Sequence, residues 1–162
     1  NDRRLAGDTA GGVVEIRAQG VAAGTGEPFF DSIESTAAHL IFSIPGVKGI
    51  EFGAGFAAAR SRGSHNNDLI ADRHGTTATN NDGGINGGLA NGNEIVLRVG
   101  FKPAPSIAQP QETFDFTAGH PTLLVIPGRH DVCIALRGAV AAEAALAIAL
   151  ADLVLRAGNA AV

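Results

Sequence analysis

The stretch Asn80–Ser106, NNDGGINGGLANGNEIVLRVGFKPAPS, constrains the fold of this 162-residue chain more than any other. It opens on a polar, glycine-dense loop, Asn80 to Gly88, and runs on through Asn91-Gly92-Asn93. Ile95, Leu97, Val99 and Phe101 then recur at every second position, the pattern of a strand with one buried face. Lys102-Pro103-Ala104-Pro105-Ser106 closes the stretch, and its two prolines set the exit path. Glycines take positive φ without steric cost and let a backbone approach a flat or anionic ligand. Loop, strand and Lys-Pro-x-x-Ser together read as a ligand-binding edge; a hairpin with a flexible tip fits the same pattern.

The flanking sequence supplies partners for that strand. Gly11 to Val21 alternates, with Val14, Ile16 and Ala18 on one face and Val13, Glu15, Arg17 and Gln19 on the other. Gly24-Thr25-Gly26-Glu27-Pro28 is a turn, and Asp31 or Ser32 can cap a helix that stops before Pro45. Ile33, Ala37, Leu40 and Ile41 share one face of it, and His39 sits at its solvated or core edge. Val47 to Phe52 is a second strand, followed by a short helical piece near Phe56 to Arg60. Residues 61–82 carry few large apolar side chains and are expected to form a long exposed loop, a length that in a compact domain points to function or disorder. Glu112–Phe116 and Thr122–Ile126 are further short strands. Ala139–Arg156 is an alanine- and leucine-rich helix that ends at Gly158. The pattern is α+β, and residues 1–162 fit one domain or half of a larger two-lobed protein.

Composition excludes several classes. A net charge of −4 argues against a general nucleic-acid binder. The longest apolar stretch, Ala139 to Leu155, is interrupted by Glu143 and Asp152, so no membrane span is expected. Cys133 is the single cysteine, which rules out a disulfide framework within the chain and fits a reducing, cytoplasmic setting. In its Val-Cys-Ile run it reads as a buried structural thiol rather than a nucleophile. The chain opens on Asn1 and contains no methionine, as expected of a portion of a longer chain.

Short motifs settle little by themselves. No G-x-x-x-x-G-K-[ST] occurs, and the glycine spacing does not fit G-x-G-x-x-G. His130-Asp131-x-Cys133 lacks the paired spacing of a zinc site, so no metal is expected. In Arg129-His130-Asp131 a guanidinium can hold phosphate while a carboxylate accepts a proton. A surface ion-pair turn would look the same.

Several blocks in one order carry more information. Thr79-Asn80-Asn81-x-Gly83-Gly84-Ile85-x-Gly87-Gly88, Phe101-Lys102-Pro103-x-Pro105-Ser106-Ile107 and Gly128-Arg129-His130-Asp131-x-Cys133 closely resemble chorismate synthases. Upstream, Gly11-Gly12-Val13-Val14-Glu15, Gly24-x-Gly26-Glu27-Pro28-x-Phe30-Asp31, Ser43-Ile44-Pro45-x-Val47-Lys48-Gly49 and Arg62-Gly63-Ser64 match in sequence. The resemblance runs from Gly7 to Arg156 and is to the C-terminal part of that family. The G-E-S-H-G histidine and other residues of the family's first half have no counterpart here. Val132 stands where proline is usual, and Ala135-Leu136-Arg137-Gly138 replaces a Val-Pro-Arg-Ala run.

The resemblance implies a sandwich of antiparallel β-sheets around central helices, here its C-terminal portion, assembled as a homotetramer. It implies an anti-1,4-elimination of phosphate from 5-enolpyruvylshikimate 3-phosphate to give chorismate, with reduced FMN required and no net redox change. Pro45, Gly46, Gly87, Lys102, Pro103, Ala104, Pro105, Ser106 and Arg129 would line the FMN site, and Asp131 would serve the proton relay. Protonation of the leaving phosphate would fall to histidines outside this sequence. The alternative is a non-catalytic structural or flavin-binding piece of that enzyme, inactive without its first half. An unrelated sugar-phosphate-binding domain would need all the block matches to be coincidence.

Overall fold

In the computed structural model, which describes residues 2–159, the alternating stretch is the middle strand of a sheet. Position 1 and residues 160–162 of the expected 1–162 domain lie outside the described residues. Strand β1 (Gly12–Ala18), helix α2 (Ile33–Phe42) and strand β2 (Val47–Phe52) follow a single turn, α1 (Asp2–Leu5). A second single turn, α3 (Gly63–Asn66), precedes a short hairpin, β3 (Ile85–Asn86) and β4 (Leu89–Ala90). Strand β5 (Ile95–Phe101), a hairpin of β6 (Gln111–Asp115) and β7 (His120–Leu124), and helix α4 (Ala135–Asn159) complete the chain. The main sheet has the order β1-β5-β2 and is antiparallel throughout.

Burial fixes the register. Ile95, Leu97, Val99 and Phe101 are all buried, and the sheet pairs Ile16 with Leu97 and Ile50 with Val99. A one-residue slip would carry that whole row into solvent. Two helices cover this face: α4 packs on β1 and β5, while α2 packs on α4 and β2. Ile33, Ala37 and Ile41 point inward from α2, and Ala142, Leu146, Ala149, Leu150 and Leu153 from α4. Ser32 is the N-cap of α2, its hydroxyl accepting from the Ser35 amide at 3.1 Å. His39 is exposed. Helix α4 starts four residues before the expected Ala139, because Gly138 lies inside the helix under the Phe101 ring, where a methyl group would overlap it. By length and composition α4 could cross a membrane; here one of its faces is buried on the sheet and α2. Its other face carries exposed Leu136, Val140, Ile148 and Leu155.

The opposite face of the sheet is a charged ladder. Arg98 on β5 reaches Glu15 on β1 at 3.2 Å and Glu51 on β2 at 2.5 Å, and Arg17 reaches Glu15 and Glu94. Hydrogen bonds from Arg17 and then Arg98 hold the Glu15 carboxyl below its usual range. Each exposed pair contributes little singly, but opposite charges lie across all three strands and support the same register.

The long loop is tied down by one carboxylate. Asp68 accepts from the Thr79 hydroxyl at 2.6 Å and from the amides of Asn81 at 2.7 Å and Asp82 at 2.9 Å. Partial burial pushes its pKa up, and these donors together outweigh it, so the carboxyl sits below its ordinary value. The unfolded carboxyl titrates near about 3.9. Its stabilisation is therefore complete above that pH and is lost as pH falls through the lower folded value. Asp68→Asn should cost about 1–2 kcal/mol at pH 7. It should also flatten the fall in stability below about pH 4, read from chemical denaturation followed by circular dichroism on acidification.

Candidate functional site

Most of the glycines in the Asn80–Gly88 loop serve the chain's own packing. Gly83 has φ +65°, and a Cβ there would lie 2.5 Å from the Gly53 nitrogen and 2.8 Å from the Val96 carbonyl oxygen. The Gly83 carbonyl accepts from Val96, so the loop is laid onto β5 backbone to backbone. Gly88 meets Ser32 at the start of α2, and its carbonyl accepts from the Ile33 amide at 3.0 Å. The tip itself is a hairpin with Gly87-Gly88 between β3 and β4. Gly87 alone among these has open space where a side chain would be.

The other residues singled out in the sequence gather at the far end of the sheet. The Lys102 amide donates to the Gly46 carbonyl at 2.9 Å, joining the exit of β5 to the Pro45-Gly46 turn. Chain entering β1 runs between two loops there. On one side the Thr9 hydroxyl donates to the Ala104 carbonyl at 2.7 Å, and the Ala108 amide donates to the Gly7 carbonyl at 2.9 Å. On the other, the Ala10 amide donates to the Val132 carbonyl at 2.7 Å. Gly11 and Gly12 make the passage possible: a Cβ would stand 2.6 Å from the Phe101 oxygen at Gly11 and 2.7 Å from the Ala135 Cβ at Gly12. Lys102–Ser106 and Arg129–Asp131 thus neighbour chain that is bonded to residues 7–10. Arg129, His130, Asp8 and Arg4 line one surface pocket with Ala108, two residues beyond Ser106.

Gly87 is not part of that group. It belongs with the N-terminal end of α2, whereas Gly46 follows the C-terminal end of the same ten-residue helix, roughly 15 Å of helix away.

Chemically the group suits an anion. Lys102 and Arg129 are exposed, and among the described residues neither pairs with a carboxylate, as is also true of Arg4 in the same pocket as Arg129 and of Lys48, Arg60, Arg62 and Arg73 elsewhere. Pro45, Pro103 and Pro105 are exposed beside them, and Gly46, Ala104 and Ser106 are half-buried. A phosphate-bearing cofactor such as FMN fits this donor set: two free cations and a hydroxyl. Asp131 is half-buried and bridged to Arg137 at 3.1 Å, which fixes its carboxylate at the start of α4. His130 is anchored by a ring nitrogen 3.0 Å from the Ile126 carbonyl. Cys133 is half-buried, its sulfur 3.8 Å from the Gly11 carbonyl. Among the described residues no three His, Cys, Asp or Glu side chains converge as a metal site.

Neither Thr9 nor the passage through Gly7–Gly12 is among the site residues named from the sequence. The available signal was a hydroxyl residue immediately before Ala-Gly-Gly at a strand entry. Gly11→Ala should lower stability by about 1–3 kcal/mol, because backbone rather than a flexible side chain would have to yield. A thermal melt should show a loss of roughly 2–10 °C.

A family model described as chorismate synthase matches residues 1–155. The chorismate synthase of Chitinophaga pinensis is 54% identical over 148 residues, covering 91% of this chain and 45% of that protein. That of Archaeoglobus fulgidus is 49% identical over 154 residues, covering 94% of this chain and 43% of the relative. A crystal structure of chorismate synthase superposes with a TM-score of 0.75 at 32% identity, over 96% of this chain and 40% of that one. The chain therefore spans less than half the length of these relatives. Matched along nearly all of its own length in both sequence and fold, it belongs to the chorismate synthase family.

Proposed function

We propose that this chain carries the flavin-binding end of a chorismate synthase and acts in the anti-1,4-elimination of phosphate from 5-enolpyruvylshikimate 3-phosphate. The activity is proposed for the chain together with the part of its relatives' length that it does not match, working as a homotetramer. The observation that carries the reading is the pair of unpartnered cations, Lys102 and Arg129, on loops stitched to one backbone segment at one end of the sheet.

Reduced FMN, when bound, supplies transient electron density that eases loss of the phosphate without net redox change. Lys102, Ser106 and Arg129 would hold its phosphate and orient it, with Pro45, Gly46 and Pro103–Pro105 shaping the wall. Asp131 would accept the proton leaving the substrate, its carboxylate kept in place by Arg137. Gly87 can join such a site only if the ligand, or a second copy of the chain, bridges to the other end of α2.

The test is FMN binding by flavin fluorescence, with and without 5-enolpyruvylshikimate 3-phosphate. Arg129→Ala should weaken binding roughly 10- to 100-fold. In the protein that turns over, Asp131→Asn should leave FMN affinity near wild type and lower kcat at least about 100-fold. Full turnover by the 162-residue chain alone, or full activity with both Arg129 and Asp131 replaced by alanine, would sink the reading.

A further inference from the structure

We infer that Thr9 is a positioning residue for the cofactor loop, setting the distance between the Lys102–Ser106 and Arg129–Asp131 segments. The inference rests on the proposal that those two segments hold the flavin.

Thr9 is one of two buried polar residues among the described residues, 7% exposed. Its hydroxyl donates at 2.7 Å to the carbonyl of Ala104, at the centre of the Lys-Pro-Ala-Pro-Ser segment. That segment contains two prolines, which have no amide hydrogen, so it can make few backbone bonds to hold itself in place. The Thr9 hydroxyl is thus an external clamp on a segment otherwise anchored at its ends, by Lys102 to Gly46 and by Ala108 to Gly7. One residue on, the Ala10 amide clamps Val132 on the Arg129–Asp131 side. The Thr9 amide is itself tied to the Asp8 carboxylate at 2.8 Å, which fixes the turn that aims the hydroxyl. Adjacent residues, Thr9 and Ala10, therefore bond one loop each. Loss of the Thr9 bond frees Ala104 while leaving the sheet, the helices and both cations in place. Thr9 itself need not touch the cofactor.

Thr9→Val keeps the shape and removes the hydroxyl. We expect FMN affinity to fall about tenfold, amide exchange at Ala104 and Ser106–Ala108 to quicken, the far-ultraviolet spectrum to stay close to wild type, and the melting temperature to fall by only a few degrees, roughly the loss of one hydrogen bond. Thr9→Ser, which keeps the hydroxyl, should restore the affinity. Faster exchange at Ala104 and Ser106–Ala108 with unchanged FMN affinity would overturn the positioning role. In that case Arg129→Ala still weakens FMN binding if the flavin reading holds, and leaves it unchanged if that reading is the part that fails. Should Thr9→Val not fold, Thr9→Ala beside Thr9→Ser decides: a tenfold loss in the alanine variant alone supports the role, and wild-type affinity in both overturns it.

Discussion

Burial of one face of β5 is the constraint on which the rest of this structure depends. The row Ile95, Leu97, Val99 and Phe101 is sealed by α2 and α4, and both neighbouring strands take their register from it. A fully buried aliphatic side chain contributes on the order of 1.5–3 kcal/mol, so this row outweighs the exposed ion pairs on the opposite face. Those pairs, centred on Arg98, refine the alignment that burial has already imposed. The two ends of β5 then become fixed points. The glycine loop is docked at one end, and the Lys102–Ser106 segment leaves from the other.

Much of this is legible in the residues themselves. Period-two alternation marks β5 and β1, Ser32 marks the start of α2, and the Val47–Phe52 strand matches its observed limits. These features are local, with side-chain spacing and cap chemistry acting within a few residues. The early start of α4 was not legible, because the contact that favours glycine at position 138, the Phe101 ring, lies 37 residues away in sequence. The order imposed on residues 61–82 by Asp68 was hidden for a similar reason: its partners Thr79, Asn81 and Asp82 lie 11 to 14 residues away.

The candidate site divides in the same way. Lys102, Ser106, Arg129 and Asp131 stand out by residue type and by block resemblance, and the fold gathers them at one end of the sheet. The glycines near Asn80 suggest an open cradle, yet Gly83 and Gly88 are consumed by contacts with Gly53 and Ser32, leaving only Gly87 facing open space. A dense glycine run reports close backbone approach but not what approaches. Thr9 gave the weakest sequence signal because its role exists only through a partner 95 residues away.

That separation has a consequence for how the site comes into being. The bonds that shape it join residues 9 and 104, and 10 and 132, so no contiguous stretch of chain contains it. The β3–β4 hairpin and α2 can form from local contacts, whereas this end of the sheet must await closure of loops of about a hundred residues. The geometry of the site therefore depends on the same long-range closure that pairs β1 with β5. Proteolytic trimming of the first dozen residues would erase it while leaving Lys102, Arg129 and Asp131 in the chain.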